Sequence, residues 1–164
     1  MKQQCSTQPD QCASAIYTVI QSLIDSQEAL VEVGEKLEDA DLKRFFLAES
    51  LRRAEFRGEL ESILNQEGVG NLLEGETEPG PVRRVLAELR LRSHEAGGHR
   101  LLATAEQGED AAREAYSRAI KTFPPTPILQ LLSSQAAHIE ESRDFVKAAR
   151  ESAAFELSAR DRAA

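Results

Sequence analysis

Glu49 and Glu109 fall where amphipathic helices ought to be apolar, and each has the same companions. The first set reads Glu49, Arg53, Phe56 and Leu60. The second reads Glu109, Arg113, Tyr116 and Ile120, each member 60 residues after its counterpart. At about 100° per residue, the stripe Leu42, Phe45, Phe46, Phe56, Leu60 and Ile63 is centred on Glu49. The stripe Leu102, Ala105, Ala112, Tyr116, Ile120 and Phe123 is centred on Glu109 in the same way. A carboxylate on a core face is costly to bury unless it is paired or binds a metal. Two chemistries are therefore open: a divalent-metal centre and a buried ion-pair network. The second has a direct basis, because Arg53 and Arg113 each follow a glutamate by four residues, the spacing of an intrahelical pair.

The elements that must hold these residues are helices. One helix is expected over residues 14–37, with Ile16, Ile20, Leu23, Leu30 and Leu37 on one face and its stripe centred near Gln27, with Glu28 at the edge. A second is expected over residues 41–66, after a short connection at 39–41 with capping residues. Gly68, Gly70, Gly75, Pro79 and Gly80 mark a loop. Pro81 then suits the first turn of a shorter helix carrying Val82, Val85, Leu86 and Leu89. Long helices follow over residues 99–122 and from Thr126-Pro127 to about residue 150. In the last of these, Leu131, Gln135, His138, Ser142, Phe145 and Ala149 share a face. The division expected is a flexible polar leader (1–13), a bundle (14–150) and a charged helical or frayed tail (151–164). The fold class expected is all-α: a ferritin-like four-helix bundle of two antiparallel hairpins. A long crossover joins the hairpins and carries a short extra helix, and an up-down-up-down bundle would need a short second connection instead.

Counted from the hairpin loops, Gln27/Glu28, Glu49–Arg53, Glu109–Arg113 and His138 lie at similar depths, so all four long helices send polar groups to one level. A di-iron or di-manganese carboxylate site asks for one Glu from each of two helices and a Glu-x-x-His pair from each of the other two. Here Arg52 stands where the second helix needs His, and Gln135 where the last helix needs Glu. The reading preferred is a pair of Glu–Arg ion pairs completed by Gln27, Gln135 and His138. If a metal binds, Glu49, Glu109 and His138 are its first-choice ligands, and Glu28, Glu106 and Glu141 its second. The cofactor expected is none, or else iron, manganese or zinc.

Architecture and residues together resemble the ferritin-like superfamily. More closely, the chain resembles a small bacterial family of ferritin-like four-helix proteins of unknown function. The likeness spans residues 15–149 and rests on Asp25-Ser26-Gln27-Glu28, Arg53-Ala54-Glu55-Phe56, Glu106-Gln107-Gly108-Glu109-Asp110 with Tyr116, and Ala137-His138. It implies the bundle fold and a metal-binding ancestry.

Composition narrows the rest. The 164 residues are 41% hydrophobic and 29% charged, with a formal net charge of −8. Such a chain suits one folded domain and offers no basic face for phosphates. The cluster Arg83, Arg84, Arg90 and Arg92 reads as one solvated helix face. No apolar run approaches the roughly 20 residues that span a bilayer, and the polar start lacks a secretory signal, so a cytoplasmic protein is expected. Cys5 and Cys12 read as incidental thiols. His94 and His99 read as helix-terminal polar residues and Tyr116 as core. The sequence has no phosphate loop, nucleophile elbow or CxxC pair. The function expected is non-catalytic, in interaction or stress response, by a self-associating homo-oligomer that binds neither nucleic acid nor membrane. The alternative is a metal-binding ferritin-like protein with iron or oxygen chemistry.

Overall fold

The computed structural model describes residues 7–68 and 97–163, and within them the chain is four helices with no strand. They are α1 (Thr7–Lys36), α2 (Ala40–Gln66), α3 (Gly98–Lys121) and α4 (Thr126–Ala163). The expected short helix with its arginine cluster, together with Cys5 and His94, lies outside the described residues.

Two apolar clusters fix the direction of each helix. One gathers Ile16 and Leu23 of α1, Phe56 and Leu60 of α2, Tyr116 and Ala119 of α3, and Ile128 and Leu132 of α4. The other gathers Leu30 and Val33 of α1, Phe46 of α2, Leu101 and Leu102 of α3, and Val146 of α4. The early half of α1 thus meets the late halves of α2 and α3 and the early half of α4. So α2 and α3 run the same way, and α1 and α4 run opposite to both. Because α3 starts at the end opposite to the one where α2 stops, the chain forms two antiparallel hairpins joined by a crossover, as the long second connection implies. The pairs α1–α2, α3–α4 and α1–α3 pack along their lengths, and α2–α4 is the thinnest seam.

Local chemistry sets the ends. Asp39 Oδ1 accepts from the backbone N–H groups of Asp41 and Leu42, both at 2.9 Å, and opens α2. At Gly34 a Cβ would stand 3.1 Å from Cβ of Phe46, so glycine lets α1 and α2 approach closely there. Helix α1 starts at Thr7, earlier than residue 14, because its buried stripe extends back through Ala13 and half-buried Cys12. Helix α4 runs on to Ala163, past residue 150, because Ala149 and Ala153 still pack on the second cluster and the Ala, Glu and Arg beyond are good helix formers.

The turn between α3 and α4 carries strain. Phe123 has φ of 51° and is 81% exposed. The left-handed region costs an L-residue about 1–2 kcal/mol, and an exposed ring returns little of that by burial. Phe123→Gly is expected to raise the unfolding free energy by about 1 kcal/mol, read from chemical denaturation.

Candidate functional site

Midway along the bundle, the polar groups converge on one side chain. Arg53 is wholly buried. Its Nη1 donates to Glu49 Oε2 at 3.0 Å, along its own helix. Its Nη2 donates to both oxygens of Glu109 on α3, at 2.9 and 2.8 Å, and to Ser142 Oγ on α4 at 3.2 Å. His138 Nε2, also from α4, lies 3.1 and 3.0 Å from the two oxygens of Glu49 and, in its Nε2–H form, donates to them. The His138 side chain is 31% exposed, against 11% for Glu49 and 1% for Glu109. The layer therefore opens to solvent at one edge, on the thin α2–α4 seam, where the imidazole also stands edge-on to Phe56.

The charges do not cancel. Two ionised carboxylates face one guanidinium, which leaves one surplus negative charge while the imidazole is neutral. Burial pushes the Glu109 carboxyl above the usual carboxylate range. The Arg53 charge and its hydrogen bonds pull it back, and the Glu49 charge pushes it further up. Arg53 Nε and Ser26 Oγ are buried without a hydrogen-bond partner among the described residues.

A second polar layer lies about two turns away. Tyr116 OH donates to Gln135 Oε1 at 2.8 Å, and Gln135 Nε2 donates to the Phe56 carbonyl at 3.1 Å and to Glu59 Oε2 at 2.8 Å. Burial raises the Tyr116 phenol above its ordinary value, so it stays a neutral donor.

Several expected positions are corrected. Arg113 does not pair with Glu109. It is half-exposed and reaches Glu140 of α4 at 3.4 Å, because the i+4 position turns toward the hairpin seam while Glu109 points inward to Arg53. The α1 residues turned inward are Asp25 and Ser26, whereas Gln27 is half-buried and Glu28 exposed. Val19, Ser26 and Val33 recur every seven residues in the buried stripe, and that spacing could have identified Ser26. On α4 the buried face is Ile128, Leu132, Gln135, Ile139, Ser142 and Val146, which moves His138 from the centre to the edge. Gln135 joins Tyr116 and Glu59, not His138. Glu59 was not singled out because its backbone sits on the exposed side and only its tip bends back.

The structure thus brings Glu49, Glu109 and His138 to one place, with Arg53 between the glutamates. Glu28, Glu106 and Glu141 are not gathered with them: Glu106 pairs with Arg150, and Glu28 and Glu141 are exposed. A cation held by Glu49 and Glu109 together would have to take the place of the guanidinium. Among the described residues, no three His, Cys, Asp or Glu side chains surround a common point. The donor set does not fit a two-metal centre. Arg143 bonds to Asp110 and Asp144 beside these groups, a surface continuation of the α3–α4 seam.

Residues 11–122 match the family described as a domain of unknown function (DUF2383). The chain belongs to that family. The DUF2383 stretch contains Glu49, Arg53, Tyr116 and Glu109, while α4, with Gln135, His138 and Ser142, follows it. Among curated proteins, none matches the chain. Among the described residues no helix is long and apolar enough to cross a membrane.

Proposed function

We propose that this chain is a non-catalytic, ferritin-like bundle in which a buried arginine takes the place of a metal pair. One observation carries the reading: the Arg53 guanidinium, wholly buried, bridges Glu49 and Glu109 and so supplies from within a cation shared by the carboxylates that a metal would otherwise hold. A fixed internal cation joins α2 to α3 and α4 and needs no supply of metal, which suits a scaffold better than a reaction centre. Its work is then done at the surface, by association, as a cytoplasmic protein serving interaction or stress response.

Metal content separates this reading from iron or oxygen chemistry. Protein purified without a metal-affinity tag, after growth with added iron, manganese or zinc, is expected to hold well under one metal per chain by elemental analysis. Stoichiometric metal that disappears in Glu109→Ala would overturn the proposal.

A further inference from the structure

Helix α4 outlasts the bundle. After Ala153 packs on the second apolar cluster, the nine residues from Phe155 to Ala163 are all exposed yet helical. At 1.5 Å per residue they make about 13 Å of helix clear of the core, a length that is marginal alone in water. Leu157 leans over a cleft of about 790 Å³ floored by Leu37, Leu42, Leu101 and Leu102. Phe155 points the other way and is 71% exposed.

The pattern on that outer side changes along the helix. Glu141, Asp144 and Ala148 occupy it beside the bundle, and Phe155 and Ala159 occupy it beyond, at helical spacing and within one narrow stripe. Arg162 stands about five turns after Asp144, at the edge of the same stripe.

We infer that this stripe is covered by the same segment of a second copy, antiparallel about a twofold axis. The inference rests on the reading of the chain as an association protein. Charge placement favours this occupant. Setting Phe155 against Ser158 and Ala159 of the second copy brings Glu151 opposite that copy's Arg162, and symmetry makes the pair twice. Both residues flank the stripe on the same edge, and antiparallel helices pair like edges. On the other edge Glu156 approaches its own symmetry mate, and Arg160, four residues on, offsets that charge. The two bundles then extend in opposite directions from the shared helix pair and do not collide.

Sedimentation equilibrium on the full chain tests this. A dimer is expected, and Phe155→Glu is expected to raise its dissociation constant at least about tenfold with the helical signal unchanged, since the residue is exposed in the monomer. Glu151→Arg alone is expected to weaken the dimer, and Glu151→Arg with Arg162→Glu to restore it. A chain that stays monomeric, or a dimer indifferent to Phe155→Glu, would overturn the inference. Failure of the charge swap to restore would overturn the antiparallel register. A monomeric result leaves the Arg53 reading standing, and bound metal would overturn that reading without touching the dimer.

Discussion

Arg53→Met is expected to lower the unfolding free energy by about 3–5 kcal/mol at neutral pH, the cost of removing one partner from a buried charge cluster. Glu109 has 1% exposure, so water cannot take over the role of the guanidinium there. The variant leaves two carboxylates facing each other across a space lined by Ser142 and the methionine. The Glu109 carboxyl, already raised by burial, loses the opposing pull of Arg53. A carboxyl held above its unfolded value contributes stability that is complete below that value and is lost as pH rises through the folded value. The defect should therefore shrink on acidification and deepen toward alkaline pH. If the loss is due to unpaired charge, Glu49→Gln and Glu109→Gln added to Arg53→Met recover most of it. If it is due to lost packing, they recover none. Urea unfolding of the three proteins across pH distinguishes these outcomes.

Glu109→Gln is expected to do the reverse, and its sign follows from the surplus charge. The folded state raises the Glu109 carboxyl, chiefly by burial, against the opposing pull of Arg53. Well below its ordinary value of 4.5, the carboxyl is protonated in both states and resembles the amide. As pH rises, the unfolded chain ionises freely while the folded chain resists. The parent thus loses stability relative to Glu109→Gln, by at most about 1.4 kcal/mol per pH unit, until the buried group also ionises. The variant should match the parent in mild acid and exceed it at neutral pH. A parent that gains on the variant as pH rises would mean that Arg53 more than compensates burial.

The bundle was legible in the sequence because its signals are redundant. Apolar residues at helical spacing mark each long helix, Asp39 caps α2, Pro124-Pro125 follow α3, and the long second connection selects the crossover. The central glutamates were legible for a related reason: a carboxylate within an apolar stripe has few inexpensive explanations. What could not be read was which cation each would meet. The i+4 spacing offers Arg53 to Glu49 and Arg113 to Glu109 equally. Only the placement of α2 diagonally across the bundle from α3, with α4 beside both, turns one guanidinium inward to serve both glutamates and leaves the other on the seam with Glu140. The likeness of the two registers, so suggestive of twin half-sites, becomes in three dimensions one arginine shared between two acids. On α4 the stripe was misjudged by a fraction of a turn. Exposed Phe145 lies at its edge, stacked on Phe45 with ring centres 4.0 Å apart, and pulled the sequence-derived centre toward His138.

The shared arginine is tested most directly by a double-mutant cycle between Arg53→Met and Glu109→Gln at neutral pH. Direct coupling predicts that Glu109→Gln stabilises the Arg53→Met background by about 1–3 kcal/mol more than it stabilises the parent. Additivity to within about 0.5 kcal/mol would show that the two residues do not interact and would contradict the account.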